Sequence, residues 1–446
     1  MTDTVPGPRG WEAFRTVKAI GVDPFGTLAA DLAKYGDVVR YPMGLVTVYF
    51  VHHPDHVQQI LEKNHTNYRR SPFYARMKPL LGEGLITSDG ELYKRQRRLV
   101  QKGFTRPLLQ SYARAIVGQC EKAAARVAER IGGAPFDVCH DNVRLSLSIA
   151  GQVMFHADLS SGLAVIETAL PPALDEIDAR FNEMFVTPEW VPTPRNLRLK
   201  KSVAQLDALV NELLAQRRRT GERHDDILDL LVDAAKDPAN QLPDRQIRDE
   251  VMTLLLAGHE TTANLLSWTM LLLMRHPEIE ERLVAEVNAV CRGELPSFEA
   301  LPQMPLLQRV LNEALRLYPP AWSMDREVIQ DDVIGGHRIP AKSVVFFPPY
   351  FVHRHREFWP DAERFDPERF NEETAGKRHR YAFVPFGGGP RLCVGRDLAM
   401  LSAGLALATL LPRVRLALAP GHRVELHPAI TLRPRHGLMV RAARRD

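Results

Sequence analysis

The sequence has few cysteines and no long apolar run. The cysteines of this 446-residue chain are Cys120, Cys139, Cys291 and Cys393. They are too few and too scattered for a disulfide scaffold, and no two of them have the C-x-x-C spacing of zinc or redox sites. A reducing, cytoplasmic environment is therefore favoured. The longest uncharged stretches, 261–274 and 398–412, have 14 and 15 residues. A membrane span needs about 20 apolar residues, so we predict a protein that does not cross a membrane.

A strong charge of one sign and a nucleotide-binding glycine motif are also missing. Lys and Arg number 58 against 54 Asp and Glu, and the net charge of +4 gives no ground for expecting nucleic-acid binding. No Gly-x-Gly-x-x-Gly follows a predicted strand, so no dinucleotide-binding domain is predicted. The first residues have neither the basic nor the apolar part of a secretory signal. Cytoplasmic localisation is therefore expected.

Helical periodicity dominates the middle of the chain, and strand composition is found near its ends. The predicted helices are 27–35, 91–102, 107–130, 141–155, 202–218, 225–235, 244–275, 278–292, 305–316 and 394–411. The predicted strands form two pairs, 38–41 with 46–51 and 339–340 with 344–347. This pattern predicts a mainly α (α+β) fold. No linker divides the chain, so we expect an irregular N-terminal arm over 1–22, reaching to about residue 26, and a single domain over 23–446.

The most informative segment is the glycine-rich stretch from Phe386 to Gly395. Three glycines and a proline predict an irregular loop whose backbone could approach a flat cofactor. Cys393 directly precedes a predicted helix, whose N-terminus favours a thiolate, and Arg391 and Arg396 add positive charge. Such a thiolate suits a soft metal ion. The residues alone also allow an ordinary turn with a packed cysteine, whereas a phosphate loop would need Lys-Ser/Thr after the glycines.

A second segment, Ala257-Gly258-His259-Glu260-Thr261-Thr262, lies inside the long predicted helix 244–275. A glycine there costs about 1 kcal/mol relative to alanine, so its presence needs a reason. Small side chains at Ala257 and Gly258 would let a planar group or O₂ approach the helix. The hydroxyl of Thr261 can bond to a carbonyl one turn earlier. A buried helix with a few tolerated polar residues is the alternative.

These segments resemble the signatures of the cytochrome P450 family. Phe-x-x-Gly-x-Arg-x-Cys-x-Gly matches the haem-binding signature of that family at Phe386, Arg391, Cys393 and Gly395, with Gly389 as the remaining match. The resemblance implies a cytochrome P450 fold, a large helical domain around haem with small antiparallel sheets. It also implies haem b (iron protoporphyrin IX) as cofactor, with Cys393 as the axial thiolate on the metal.

The helix segment resembles the family's Ala/Gly-Gly-x-Asp/Glu-Thr-Thr motif. The resemblance implies that Ala257 and Gly258 lie against the haem, and that Thr261 hydrogen-bonds to dioxygen during its activation. Glu260 would supply protons from solvent, which is general acid catalysis. An oxygen carrier or haem sensor without turnover would not need this pair. His259 is expected to face solvent or a channel.

Further resemblances concern residues around the cofactor and the core. Tyr93 and Arg97 match the family's Trp-x-x-x-Arg helix, with tyrosine replacing tryptophan. Together with Arg326 and Arg391 they are expected to bind the haem propionates. A structural network is expected from Glu313, Arg316 and Arg369. The sequence departs from the family at His353-Arg354-His355, where His-x-Asp is common.

By resemblance the substrate pocket is apolar and takes a hydrophobic small molecule. The expected lining residues are Phe73, Tyr74, Met77, Leu85, Ile86, Thr253, Leu254, Ala257, Ala321, Trp322, Ser323 and Leu438. Plain core packing is the alternative for each of them. Cys120, Cys139 and Cys291 are interpreted as packing residues.

The function implied is that of a haem-thiolate monooxygenase that hydroxylates or epoxidises a terpenoid, steroid, polyketide or fatty acid with O₂. Electrons would come from a ferredoxin or flavodoxin and its NAD(P)H-dependent reductase. Docking is expected on a basic patch, with the protein itself a monomer. The patch residues are Lys94, Arg95, Arg98, Lys102, Lys377, Arg378, His379 and Arg380. Desaturation or oxidative coupling, a non-catalytic haem sensor or carrier, and a cysteine hydrolase using Cys393 are the alternatives.

Overall fold

The structure is a computed structural model that describes residues 5–44, 46–156, 160–181, 183, 186–236 and 242–445. Residues 1–4 of the predicted arm lie outside the described residues. The α-helices are α1 (Gly10–Val22), α2 (Pro24–Tyr35), α3 (Pro54–Gln58), α4 (Lys78–Leu81), α5 (Gly90–Val100), α6 (Arg106–Ala128), α7 (Val138–Phe155), α8 (Ser160–Phe181), α9 (Pro194–Thr220), α10 (Ile227–Lys236), α11 (Asp244–Arg275), α12 (Pro277–Cys291), α13 (Pro305–Leu317), α14 (Pro349–Val352), α15 (Glu372–Ala375) and α16 (Arg396–Leu410).

The strands are short and lie mostly near the two ends of the chain. They are β1 (Val38–Met43), β2 (Val46–Val51), β3 (Tyr68–Arg69), β4 (Phe136–Asp137), β5 (Asp325–Val328), β6 (Asp332–Ile334), β7 (His337–Ile339), β8 (Val344–Phe346), β9 (Val414–Leu418), β10 (Leu426–Pro428), β11 (Leu432–Pro434) and β12 (Met439–Arg444). The predicted mainly α fold with small sheets is confirmed.

The largest sheet of the described residues has five strands in the order β1-β2-β8-β5-β3. The predicted antiparallel pair β1–β2 is present, with Val38 opposite Val51. The predicted pairing of 339–340 with 344–347 is wrong. Strand β8 is bonded to β2 on one edge and β5 on the other, so both of its edges are occupied. Strand β7 pairs with β6 instead.

Helix α11 is the central element of the core. It has 32 residues, and its observed bounds agree with the predicted helix 244–275. Apolar residues occur on all of its sides, as expected for a helix surrounded by protein. It packs along α7 and also contacts α13 and α16. These neighbours place the segment 257–262 in the interior.

Two predictions about helices were wrong or incomplete. The segment expected to be irregular contains the 13-residue helix α1, whose Trp11 and Phe14 are exposed, so its apolar residues do not mark a buried face. Helix α8 was not predicted, because Pro171 and Pro172 stand in its interior, where proline normally interrupts a helix. The division into arm and single domain stays a prediction.

Candidate active site

The cysteine loop is held by contacts with a distant part of the chain. Cys393 lies three residues before α16, and its N–H donates to the carbonyl oxygen of Phe386 at 2.9 Å. Gly389 has a φ of +61°, and a Cβ at this position would lie 1.7 Å from the carbonyl oxygen of Leu61. A Cβ at Gly388 would lie 2.8 Å from the ring of Tyr381. Packing within the protein therefore requires these two glycines, whereas the sequence pattern had suggested close approach of a flat cofactor.

Above this loop lies a cavity with about 1060 Å³ of space not filled by protein atoms, including its mouth. Cys393 is deep in the protein, yet its side chain is exposed because it faces this cavity. The other predicted residues that line the cavity are Leu254, Ala257, Gly258, Thr261, Ala321, Phe386 and Gly395. The cysteine loop and α11 thus form two walls of one apolar chamber.

One wall of the cavity was missed by sequence reasoning. It is built from α7 and α16, whose lining residues are Ser146, Ile149, Ala150, Met154, Leu398, Ala399 and Ser402. These are ordinary apolar or small helix residues, and nothing in their local pattern separates a cavity wall from plain core. The other cysteines pack as expected: Cys120 is buried in the core, and Cys139 and Cys291 pack against it.

The environment of Cys393 has two opposite effects on the pKa of its thiol. Burial raises its pKa, while the N–H groups of Gly395 and Arg396 and the charge of Arg97 act in the opposite direction. A thiolate was predicted at this helix N-terminus, but in the protein alone the effect of burial on the pKa exceeds that of these groups. A bound metal cation would supply the missing positive charge, because coordination deprotonates a thiol.

A cluster of one buried arginine and two half-buried arginines lies near the cysteine loop. Arg326 is buried, and desolvation together with the charges of Arg70 and Arg391 lowers its pKa to about 10. The Nε atom of Arg70 is also buried and has no hydrogen-bond partner among the described residues. Arg391 pairs with the carboxylate of Asp89. Two aspartates, Asp89 and Asp325, do not balance three arginines, and burial raises the pKa of Asp325, so the cluster suits a further anionic group such as a pair of carboxylates.

Two residues of α5 bind the cysteine loop directly. The hydroxyl of Tyr93 donates to the carbonyl oxygen of Pro390 at 3.0 Å, and Nη1 of Arg97 donates to that of Leu392 at 2.6 Å. The guanidinium of Arg391 stacks 3.8 Å from the centre of the Tyr93 ring. Tyr93 therefore supports the loop through its hydroxyl and its ring. Contact of Tyr93 and Arg97 with a propionate stays a prediction.

In α11, the polar residues have defined partners. The hydroxyl of Thr261 donates to the carbonyl oxygen of Ala257 at 2.7 Å, as the sequence predicted. A Cβ at Gly258 would lie 2.7 Å from Cε of Met154, so this glycine permits close packing of α11 on α7. His259 was expected to face solvent or a channel, which is wrong. It is buried, and its Nδ1 lies 2.9 Å from the carbonyl oxygen of Leu255.

Glu260 is buried next to residues from the C-terminal part of the chain. Its Oε1 accepts a hydrogen bond from the hydroxyl of Thr431 at 2.7 Å and lies 3.7 Å from Nη1 of Arg433. Burial raises the pKa of the nearby Asp178 to about 6, and the charge of Glu260 contributes to this shift. Asn264 donates to the Thr431 hydroxyl at 3.0 Å. Sequence reasoning found Glu260 but missed these partners, which are distant in sequence.

The residues of the predicted structural network are in contact. Arg316 makes two hydrogen bonds with the Glu313 carboxylate at 2.7 and 2.8 Å, and both side chains are fully buried. Nε of Arg369 lies 3.5 Å from Oε1 of Glu313. Arg316 also donates to the carbonyl oxygen of His353 at 3.2 Å. The network therefore joins α13 to the segments that follow α14.

Several predicted substrate residues lie away from the cavity lining. They are Phe73, Tyr74, Met77, Leu85, Ile86, Thr253, Trp322, Ser323 and Leu438. Two of them have other contacts: Nε1 of Trp322 donates to the carbonyl oxygen of Ala429 at 2.7 Å, and Leu438 is fully buried in the core. Leu254, Ala257 and Ala321, in contrast, line the cavity. A substrate role for any of these residues stays a prediction.

The fold and the site together define a mainly helical protein in which a cysteine loop and a central helix face each other across an apolar cavity. The family profile named Cytochrome P450 matches residues 5–440. The chain is 35% identical over 407 residues to cyclooctatin synthase of Streptomyces melanosporofaciens, covering 90% of this chain and 88% of that protein. It is 34% identical over 394 residues to pentalenene oxygenase of Streptomyces avermitilis, covering 88% and 86%.

A solved structure of a protein from the same family has the same fold. The crystal structure of the cytochrome P450DA heme domain superimposes with a TM-score of 0.86 at 25% identity, covering 99% of this chain and 98% of that chain. The chain belongs to the cytochrome P450 family and is an oxidoreductase of the monooxygenase type. Membership implies haem with a cysteine thiolate, O₂, a redox partner and a hydrophobic substrate. No helix among the described residues combines the length and the hydrophobicity that a membrane crossing requires.

The residues of this chain fit the haem that the family implies. The thiol of Cys393 opens into the cavity, small side chains of α11 form a facing wall, and the cluster of Arg70, Arg326 and Arg391 carries more positive charge than Asp89 and Asp325 balance. A soft ligand, a flat apolar space and excess positive charge are what an iron porphyrin with two carboxylates requires.

Proposed function

We propose that the protein hydroxylates or epoxidises a hydrophobic, terpenoid-like molecule, using haem b held by Cys393. The observation that carries this proposal is the exposure of the Cys393 thiol to an apolar cavity whose facing wall contains Ala257 and Thr261. When bound, the haem would supply activation of O₂ with two delivered electrons and two protons, so that one oxygen atom enters the substrate and the other becomes water.

The reduced protein exposed to carbon monoxide tests this proposal. A thiolate ligand gives a strongly red-shifted Soret band, and Cys393→Ala should abolish it. Cys291→Ala is the matched control, because Cys291 only packs against the core. A Cys393→Ala protein that kept the band would contradict the proposal, as would a wild-type protein that stayed colourless after reconstitution with haem.

Thr261 and Glu260 have separate tasks in this proposal. The Thr261 hydroxyl lines the cavity, and when it turns away from the Ala257 carbonyl it can donate a hydrogen bond into the cavity. The Glu260 carboxylate lies outside the lining, in contact with Thr431 and close to Arg433. This position suits a group that receives protons from the surface and passes them toward Thr261 by water.

Two relatives support a terpenoid-like substrate. They are pentalenene oxygenase and cyclooctat-9-en-7-ol 5-monooxygenase, the second from Streptomyces melanosporofaciens and 33% identical over 396 residues. Both names describe oxidation of a compound with few polar groups. The cavity of the present chain is lined by residues such as Ile149, Leu254 and Ala321, which suits such a molecule. A screen of ligand-induced Soret shifts should favour cyclic hydrocarbons and their monoalcohols over fatty acids.

We infer that a ferredoxin or flavodoxin, served by an NAD(P)H-dependent reductase, delivers the electrons in the cytoplasm. Support comes from exposed basic side chains close to the cysteine loop. They are Lys94, Arg98 and Lys102 near α5, and Lys377 and Arg380 after α15. Arg378 differs from the expected patch because it stacks 3.8 Å from the Trp359 ring and is half-buried. Acidic electron carriers are attracted by such a surface.

Stopped-flow reduction by a ferredoxin tests this inference. The rate should fall steeply with rising salt and with Arg98→Glu, because both weaken attraction between charged surfaces. Arg441→Glu is the control, since Arg441 is an exposed arginine of β12 outside the patch. Docking on the patch would be contradicted if neither salt nor Arg98→Glu changed the rate, or if Arg441→Glu slowed it as much as Arg98→Glu.

A further inference from the structure

Imidazole and carboxylate side chains meet outside the active site, beside the β1–β2 hairpin. Asp37 directly precedes β1, His52 directly follows β2, and His355 lies shortly after α14. Oδ1 of Asp37 lies 3.5 Å from Nδ1 of His52 and 3.4 Å from Nε2 of His355. All three atoms lie within 4.8 Å of one another. His355 also occupies the position where the family commonly has aspartate.

The contact of His355 with Asp37 is a long hydrogen bond, and both distances also suit atoms that share a metal ion. An N–H···O hydrogen bond usually measures about 2.9 Å between its heavy atoms. Zinc binds nitrogen and oxygen ligands at about 2.0–2.2 Å, so two ligands of a tetrahedral ion lie about 3.4 Å apart. Both distances from Asp37 Oδ1 match that spacing.

The two imidazoles of the cluster are shielded from solvent, whereas its carboxylate is accessible to solvent. The side chain of His355 is 6% exposed and that of His52 is 12% exposed, whereas that of Asp37 is 42% exposed. Nδ1 of His52 is buried and makes no hydrogen bond within the described part of the chain. An unsatisfied buried nitrogen with a solvent-accessible carboxylate beside it provides both a ligand and an entry route for a cation.

We propose that Asp37, His52 and His355 bind a divalent transition-metal ion of the zinc type, at a site separate from the active site. Imidazole nitrogen and carboxylate oxygen are ordinary zinc ligands, whereas magnesium and calcium prefer oxygen alone. Three protein ligands leave one tetrahedral position for water. None of the three residues lines the cavity above Cys393.

The neighbours of the cluster are compatible with this ligand set. Nδ1 of His355 lies 3.4 Å from the N–H of Glu357, a long contact. Binding a cation through Nε2 would place the ring proton on Nδ1, so the long hydrogen bond from the Glu357 N–H would be lost. His53 is adjacent, with its ring centre 5.0 Å from that of His355, and its Nε2 lies 3.5 Å from a Glu357 oxygen. These groups limit access from that side and leave Asp37 as the open side.

A bound ion would connect parts of the chain that are far apart in sequence. Asp37 and His355 are separated by 318 positions. An ion held by both would link the N-terminal hairpin to the segment after α14. Because the unfolded chain does not hold these ligands together, binding should stabilise the folded protein.

Calorimetric titration of the haem-loaded, chelator-treated protein with zinc chloride tests the proposal. We expect one zinc ion per chain and a rise in the thermal unfolding midpoint, with no such rise in magnesium chloride. His355→Asn and Asp37→Asn should each weaken zinc binding at least tenfold and remove the zinc-dependent rise. His436→Ala is the control. His436 is an exposed histidine 3.5 Å from the carboxylate of Glu425, and this pair, unlike the proposed site, contains only one imidazole.

The comparison is made within each variant, with and without zinc, so a change in basal stability does not affect the result. Anomalous diffraction at the zinc edge should place the ion between Asp37, His52 and His355. Absence of saturable zinc binding in the wild-type protein would overturn the proposal. So would zinc binding that survives unchanged in both His355→Asn and Asp37→Asn, because the ion would then be held elsewhere.

Discussion

The hydroxyl of Thr431 donates to Oε1 of Glu260 at 2.7 Å, so a residue just before β11 orients the acid of the central helix. Thr431→Val removes this hydroxyl at nearly constant volume. A hydrogen bond to a charged group contributes about 1.5–3 kcal/mol, so we expect product formed per electron to fall about tenfold or more. The carbon monoxide spectrum and substrate binding should stay unchanged. Product and NAD(P)H consumption are measured together.

A second threonine of α11 serves as the control for this substitution. Thr269 is fully buried, and its hydroxyl donates to the carbonyl oxygen of Leu265 at 2.7 Å, within its own helix. Thr269→Val should leave product per electron unchanged. If both valine variants lower it equally, packing in α11 is responsible and the orientation of Glu260 is not.

The charge of Glu260 gives a further prediction. Glu260→Gln keeps the shape and an oxygen that can accept from Thr431, but it removes the group that exchanges protons. General acid catalysis contributes about 10²–10⁴-fold, so turnover should fall by at least tenfold and the solvent deuterium isotope effect should increase. Rates in H₂O and D₂O check this. An unchanged isotope effect would show that protons reach Thr261 by another route.

The cysteine loop and the 257–262 segment were predictable because each is contiguous in sequence. The distant residues that contact these segments were not predictable. Thr431 lies 171 residues from Glu260, and Asp89 lies 302 residues from Arg391. Only the folded chain brings such residues together. Asp89 directly precedes α5, and no local feature of the sequence indicates that it pairs with Arg391.

Glycines illustrate a different limit of sequence reasoning. The three consecutive glycines before Pro390 indicated a special loop, and that was correct. The reason for two of them, close contact with Leu61 and Tyr381, depends on what packs against the loop and is therefore invisible in sequence. The same holds for Gly258, whose neighbour Met154 belongs to α7.

This packing predicts that Gly389→Ala strongly lowers the stability of the protein. The added Cβ would overlap the Leu61 carbonyl oxygen in a backbone conformation that alanine rarely adopts, so we expect a loss of about 2–4 kcal/mol of stability and poor haem retention. Gly421→Ala is the control, because φ there is +76° and no atom lies within 4 Å of the added Cβ. It should cost about 1 kcal/mol, from backbone strain alone. Equal losses in thermal unfolding would contradict the packing argument.

The buried pair of Glu313 and Arg316 predicts a large effect from a small substitution. Glu313→Gln leaves the fully buried Arg316 without a charged partner, which typically costs about 3–5 kcal/mol. Glu368→Gln is the control, since Glu368 pairs with Arg282 and Arg309 in a more exposed position and should cost about 1 kcal/mol or less. Urea unfolding measures both. A small loss for Glu313→Gln would show that the pair is dispensable.

Glu250 predicts how stability depends on pH. Burial raises its pKa to about 8, although the N–H of Leu85 and the amide of Gln246 favour its charge. Between about pH 4.5 and 8 the unfolded chain releases this proton while the folded chain keeps it, so stability falls as pH rises, by up to about 1.4 kcal/mol per unit. Glu250→Gln does not titrate. Its stability relative to wild type should therefore rise between pH 5 and pH 8, by about 2–4 kcal/mol in urea unfolding. Glu83→Gln, at a half-exposed neighbour, should show no such rise, and parallel curves for Glu250→Gln and wild type would contradict the assignment.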